Sequence, residues 1–310
     1  MRYYKRYYPR CWDFGFEKKA GSFNFGIKDF PLLLQIQTVN SCNGSCLMCP
    51  SKDQKKTFEL MPNEIFDKLI NELRSSKKSL YLVLMLQNEP FLDKDIFQKA
   101  RSIKEATNNN IFISVITNGS LLKNYDLNLF KETALDRVYI SLDAYHEITY
   151  KKIRGKNLDF KNIKKKIDEL ISRGLNHKIA VRLVVQKDNF DEANQFFNYW
   201  KNKEVGVEIM NLENRCGLVK DYKKLRIKDC GISNIKKCFE PFNNLCVTVN
   251  GDVIPCCSDW SHENIMGNIK NNSIQEIWTN KKFEYFRLCH TEGKAQDIEP
   301  CKFCSQLQNQ

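Results

Sequence analysis

A chain of 310 residues can bury one large core, or one core with a small satellite, and its thirteen cysteines are too many for an ordinary protein of this length. An odd cysteine count, tight grouping and no apolar h-region in residues 1–10 argue against a secreted disulfide scaffold and for metal ligation in a reducing, cytoplasmic compartment; no window of eighteen apolar residues predicts a membrane span. The formal charge of +12 overstates the attraction to nucleic acid, because metal-bound cysteines are thiolates and the lysines are scattered among asparagines, so nucleic acid is not expected as a partner.

Residues 1–30 show no clean period and read as an N-terminal arm, with Cys11 a free thiol. A first strand over 33–38 runs into Cys42-Asn43-Gly44-Ser45-Cys46-Leu47-Met48-Cys49, where gaps of three and two residues let three sulfurs turn toward one centre. Thiolates select iron–sulfur clusters, zinc or copper(I). A structural zinc site wants four protein ligands, whereas a 4Fe–4S cluster held by three thiolates keeps one iron open for a substrate or cofactor.

Beyond the loop, 61–70 predicts a helix with Pro62 near its first turn. Strands over 80–86, 111–116, 137–140, 180–185 and 207–210 alternate with helices over 96–106, 158–171 and 190–200. Six strands in this rhythm predict an α/β fold, a partial (β/α)6 TIM-like barrel over 31–210, with its chemistry at the C-terminal strand ends. A charged stretch over 211–237 reads as a linker, its Cys216 and Cys230 lacking a partner at ligand spacing. Residues 238–310 form a small C-terminal β-hairpin/helix unit: Asn250-Gly251 between two apolar runs predicts a two-residue hairpin turn, and Ser273 with Glu276 a capping box.

The CxxxCxxC loop after a first strand resembles the cluster loop of the radical S-adenosylmethionine (SAM) enzymes. The resemblance implies that Cys42, Cys46 and Cys49 hold a 4Fe–4S cluster whose open iron binds SAM, which is cleaved reductively to a 5′-deoxyadenosyl radical that abstracts a substrate hydrogen. A reductant such as flavodoxin or ferredoxin is then implied. Glu89-Pro90 is similar to the family's Gly-Gly-Glu-Pro stretch that helps bind the SAM amino group, with Gln87 and Asn88 standing at the two glycines. Thr117-Asn118-Gly119 and Ser141-Leu142-Asp143, with Ile153-Arg154-Gly155 downstream, resemble further family strings. They imply SAM contacts from Asn118, Ser141 and Arg154, the last bidentate to a carboxylate. Gln186 is a further SAM-contact candidate.

The C-terminal run resembles the auxiliary iron–sulfur (SPASM, or one-cluster twitch) domain of that family. The resemblance implies a second 4Fe–4S cluster on Cys238, Cys256, Cys301 and Cys304; from residues alone, a four-cysteine zinc site stays open. Cys246 and Cys257 stay ambiguous, Cys289 reads as an unligated thiol, and Asp259 is a candidate base by proximity. One auxiliary cluster suits oxidation of a small molecule such as a sugar or aminocyclitol, with tolerance for a phosphate or nucleotide handle. Maturation of a peptide or protein is the alternative. A zinc-stabilised nucleic-acid-binding protein is the reading from a different class.

Overall fold

The computed structural model describes residues 29–54, 57–76, 78–227, 238 and 240–307. The N-terminal arm up to residue 28, Cys11, Cys230 and the linker over 228–237 lie outside the described residues.

The chain alternates as expected: β1 (Leu33–Ile36), α1 (Asn63–Ser76), β2 (Tyr81–Val83), α2 (Ile96–Ala106), β3 (Phe112–Thr117), α3 (Asn128–Glu132), β4 (Arg137–Ser141), α4 (Glu147–Arg154), α5 (Phe160–Ser172), β5 (Ile179–Val185), α6 (Ala193–Lys201) and β6 (Gly206–Asn211). Then follow α7 (Tyr222–Leu225), α8 (Glu240–Asn243), β7 (Asn244–Val247), β8 (Asp252–Ile254), β9 (Gly267–Asn268), α9 (Ile274–Trp278) and α10 (Lys281–Thr291). The apolar spacing that predicts the helices is what they bury. Helix α1 buries Ile65, Phe66, Leu69, Ile70 and Leu73, and α5, capped where Asp159 accepts from Asn162 N–H at 3.1 Å, buries Phe160, Ile163, Ile167 and Leu170.

The strands form one nine-stranded sheet in the order β6-β5-β4-β3-β2-β1-β7-β8-β9. Strands β1 to β6 pair in parallel, the partial (β/α)6 barrel arrangement that the alternation predicts. All four residues of β1 are buried, since the strand has neighbours on both edges and is covered on both faces. The C-terminal unit continues this sheet: β7 pairs with β1 in parallel over Leu33↔Asn244 to Ile36↔Val247, and β8 and β9 follow antiparallel. Gln37 seals the junction, its N–H donating to Val247 O (2.9 Å) and its Oε1 accepting from Val249 N–H (3.1 Å). Consequently the strand that leads to the first cysteine loop and the hairpin that leads to Cys256 lie side by side.

Three local expectations change. The hairpin turn is longer than two residues: Gly251 N–H bonds Thr248 O (2.9 Å), Thr248 N–H bonds Asp252 O (2.8 Å), and Gly251 takes the left-handed conformation at φ +83°, which a following bulge needs and a side chain resists. The helix expected over 190–200 starts at Ala193, because Asn189 turns inward and donates to Asp143 O (2.8 Å) and Val184 O (2.9 Å), leaving 187–192 as a tighter 3-10 turn. Residues 147–154, for which no helix is expected, form α4, which buries Tyr150, Ile153 and Arg154.

Candidate active site

The C-terminal ends of the strands surround a cavity of about 260 Å³. Cys42, Cys46 and Cys49 line one part of it, and Cys216, Cys238, Cys256, Cys257, Cys301 and Cys304 line another. β1 leads to the first cysteine loop, and β8, antiparallel to the β7 strand that lies beside β1, leads to Cys256 and Cys257, so the shared sheet brings both groups to one cavity.

The first loop is held from three sides. Asn118, after β3, donates from Nδ2 to Asn43 Oδ1 (2.8 Å), Asn157 donates to Asn43 O (2.6 Å), and Leu47 N–H bonds Ile153 O (2.8 Å) at the end of α4. Within the loop Gly44 N–H points at Cys42 Sγ (3.4 Å) and Cys49 N–H at Cys46 O (3.1 Å). Burial pushes the Cys42 thiol up to about 12 and also raises Cys46, which the Arg154 guanidinium partly offsets. A bound cationic centre reverses that bias, because desolvated thiolates are stabilised by the metal they ligate. The donor set therefore fits a soft metal centre.

Glu89 is fully buried at the end of β2 and lines the cavity. Its Oε1 accepts from Thr117 Oγ1 (2.6 Å) and Phe91 N–H (3.2 Å), and its Oε2 from Asn118 N–H (2.7 Å). A carboxylate offers about four acceptor sites, so one stays available for an amino group. Burial raises its pKa and these three donors pull it back. Arg154 projects from the last turn of α4 into the cavity, with Nη1 donating to Asp143 Oδ2 at 2.9 Å. Asp143, at φ +56° beyond β4, also accepts from Val184 N–H (2.7 Å), so it fixes one arm of the Arg154 fork and leaves the other side to face a ligand. Asn118 and Ser141 line the same cavity.

Gln186 and Asp259, two candidates from the sequence, are not among the cavity-lining residues. Gln186 is fully buried, with its N–H bonded to Asn189 Oδ1 (2.8 Å) where β5 ends. Asp259 is fully buried because its Oδ1 caps a turn, accepting from Ser261 Oγ (2.9 Å) and His262 N–H (3.1 Å). One carboxylate oxygen thus holds the turn after Cys256 and Cys257, while Oδ2 is buried without a hydrogen-bond partner among the described residues.

The cavity also gathers side chains that sequence spacing does not single out. Arg182 on β5 pairs with Glu208 on β6 (2.8 Å), and Glu213 with Arg215 (2.8 Å). Glu240, from α8, has its carboxylate within 4.8 Å of the Cys256 and Cys257 sulfurs, and burial followed by the Cys257 charge holds it well above the carboxylate range. His290, on α10, sits 3.4 Å from Cys301 Sγ and is held by burial down to about 4, which keeps its imidazole neutral. Cys246, within β7, and Cys289 are buried away from the cavity lining.

Two family models match the chain. Residues 36–199 match the radical SAM superfamily, and residues 238–305 match SPASM, an iron–sulfur cluster-binding domain. The chain belongs to the radical SAM superfamily. It carries the SPASM-type C-terminal domain, and its cofactors are SAM with a SAM-binding 4Fe–4S cluster and auxiliary iron–sulfur. This radical SAM chain is 24% identical over 280 residues to the S-adenosyl-L-methionine-dependent 2-deoxy-scyllo-inosamine dehydrogenase of Niallia circulans, a match covering 89% of this chain and 93% of that one. It is 31% identical over 182 residues to the probable GTP 3′,8-cyclase of Methanococcus aeolicus, covering 57% of this chain but 58% of the relative. The structure of Streptococcus suis SuiB bound to precursor peptide SuiA superposes with a TM-score of 0.69 at 14% identity, over 91% of this chain and 71% of that one. No described helix is long and apolar enough to cross a membrane.

Proposed function

We propose that this radical SAM enzyme oxidises a small polyhydroxylated or aminocyclitol-like molecule, carbinol carbon to carbonyl, with one auxiliary 4Fe–4S cluster as electron acceptor. The observation that carries the reading is the shared cavity, which both cysteine groups line. When bound, SAM on the first cluster supplies a hydrogen-abstracting radical, and the auxiliary cluster supplies an acceptor for the electron left on the substrate. The balance is that of a dehydrogenation: one hydrogen atom leaves the carbinol carbon, and one electron and the hydroxyl proton follow. A flavodoxin- or ferredoxin-like protein is the proposed source of the initiating electron.

In this reading Cys42, Cys46 and Cys49 hold the first cluster, Glu89 receives the SAM amino group on its remaining acceptor site, and Arg154 receives the carboxylate. Asn118 keeps the cysteine loop in place through Asn43. Arg182, Glu213 and Arg215 line the same cavity as paired charges that can bond hydroxyl or amino groups. The near full-length match to an aminocyclitol dehydrogenase points the same way, whereas the cyclase match spans little more than half of that relative.

The test incubates reconstituted enzyme with SAM, dithionite and a panel of deuterated sugars, aminocyclitols, sugar nucleotides and short peptides, then measures deuterium in 5′-deoxyadenosine. Transfer from a carbinol carbon with a product lighter by two hydrogens is expected. Transfer from a peptide and from none of the sugars or aminocyclitols overturns the assignment in favour of peptide maturation.

A further inference from the structure

We infer that His290, on α10, donates a hydrogen bond to the Cys301 sulfur and thereby raises the reduction potential of the auxiliary cluster. The inference deepens the proposed function, because it rests on the reading that Cys301 is one of the thiolates that hold a second 4Fe–4S cluster. His290 Nε2 lies 3.4 Å from Cys301 Sγ, the histidine is 1% exposed, and both residues line the cavity. Helix α10 is fixed along its length. Asn280 Oδ1 caps it by accepting from Phe283 N–H (2.9 Å), and Arg287, one turn before His290, donates to Pro241 O (2.8 Å) and Trp278 O (2.7 Å). The Phe286 ring, four residues back on the same face, packs against the imidazole with centroids 5.1 Å apart.

The surroundings place the ring hydrogen on Nε2. A coordinated thiolate can only accept, and Nδ1 of His290 is buried with no hydrogen-bond partner among the described residues. A ring with its hydrogen on Nδ1 would bury an unpaired donor and turn a nitrogen lone pair toward the sulfur, and a doubly protonated ring would bury the same unpaired donor. Only the Nε2–H form avoids both. A bond donated to a cluster sulfur strengthens when the cluster takes up an electron, because the sulfur becomes more negative, so such bonds move the potential upward. A higher potential favours the step assigned to this cluster, acceptance of the electron left on the substrate. Cys256 Sγ also has a donor, Ser258 N–H at 3.3 Å, but that one is main chain, whereas His290 is a side chain that substitution can remove.

The test reconstitutes the full chain anaerobically as wild type, His290→Leu and His290→Gln, measures iron per chain, and follows the electron paramagnetic resonance (EPR) signal of each cluster through a redox titration. All three proteins are expected to hold about eight irons. In His290→Leu the oxidised-to-reduced ratio of the auxiliary cluster at a given potential is expected to rise about tenfold, a fall of about 59 mV in midpoint for one electron, while the SAM-binding cluster keeps its midpoint. His290→Gln, whose amide nitrogen reaches about as far as Nε2, should recover part of the shift. Wild type carrying histidine labelled with heavy nitrogen should show a nitrogen hyperfine coupling in the pulsed EPR of the auxiliary cluster, absent from labelled His290→Gln. A His290→Leu midpoint equal to that of wild type at full iron content overturns the role of His290 alone, as does a labelled wild type without the coupling. Loss of auxiliary iron from both variants also overturns it, because a donor that tunes the cluster is not needed to hold it. Wild type with only about four irons removes the auxiliary cluster itself and this role with it.

Discussion

Gln87 Oε1 lies 2.8 Å from His262 Nε2, which joins the end of β2 to the turn that follows Cys256 and Cys257. The same side chain donates from Nε2 to Asp259 O (2.7 Å) and Cys257 O (3.2 Å), and only 3% of the residue is exposed. Gln87 stands where the family motif has glycine, so a position that elsewhere has no side chain here spans the two cysteine-bearing parts of the molecule. Two residues on, Glu89 lines the same cavity.

Removing this tie should uncouple the two halves of the reaction. Gln87→Ala is expected to cleave SAM but to yield several-fold less product per 5′-deoxyadenosine, with a loss of about 1–3 kcal/mol in stability from the buried groups left unpaired. Gln87→Glu, which keeps the acceptor facing His262, should recover part of the yield. The ratio of product to 5′-deoxyadenosine, followed by chromatography beside a urea titration, checks both. An unchanged ratio in Gln87→Ala would assign the side chain to folding alone.

The two cysteine groups should separate by function. Alanine at Cys42, Cys46 or Cys49 is expected to abolish dithionite-driven 5′-deoxyadenosine release, because the first centre keeps an open iron only when its three thiolates are present. Cys301→Ala combined with Cys304→Ala should spare some release and stop product formation. Full SAM cleavage by the Cys46→Ala protein contradicts this division.

Periodic and spaced features are legible in the sequence because each is local. The apolar stripe of α5, the Ser273–Glu276 capping box, closed by bonds of 2.8 and 3.1 Å, and the alternation of strands with helices need nothing beyond neighbouring residues. What escapes is set by pairing between distant segments. The parallel pairing of β7 on β1 extends the barrel sheet into the C-terminal unit, and nothing in the apolar run over 245–249 distinguishes a new sheet from the edge of an old one. Cys216 is invisible for the same reason, since its neighbours arrive almost ninety residues later through Asn214 and Ser305. Gln186 and Asp259 stand at plausible strand and turn ends, but the fold buries both outside the cavity lining, which only the packing of distant segments decides.

Arg154 and Asp143 form a buried pair whose two members should fail differently. Arg154→Met leaves the Asp143 carboxylate buried without its cation, at an expected cost of about 3–5 kcal/mol, and should raise the KM for SAM. Arg154→Lys restores charge without the planar fork, so it should recover more stability than SAM affinity. Urea midpoints and the SAM concentration dependence of 5′-deoxyadenosine release separate the two effects. Equal recovery of both by lysine would mean that SAM sees only the charge.

Gly155 should be the least replaceable backbone position beside the first cysteine loop. It ends α4 at φ +93° and ψ +161°, a region nearly reserved for glycine, and a Cβ there would fall 2.2 Å from Ser45 Oγ and 2.9 Å from Asn157 Oδ1. Ser45 sits between Cys42 and Cys46 and is itself bonded to Asn157 (3.1 Å), so the collision displaces the loop that presents the thiols. Gly155→Ala is expected to lose most first-cluster iron and at least about tenfold of SAM cleavage, beyond the roughly 1–3 kcal/mol of backbone strain. Gly174→Ala supplies the control: Gly174 also has positive φ, at +74°, but nothing lies within 4 Å of its Cβ direction, so strain should lower stability while iron stays in place. Adding Ser45→Ala to Gly155→Ala removes the closest clash and should return part of the iron without the stability. Iron content and urea midpoint, measured on all three proteins, decide the case; equal iron retention in Gly155→Ala and Gly174→Ala would show that the loop absorbs the added methyl.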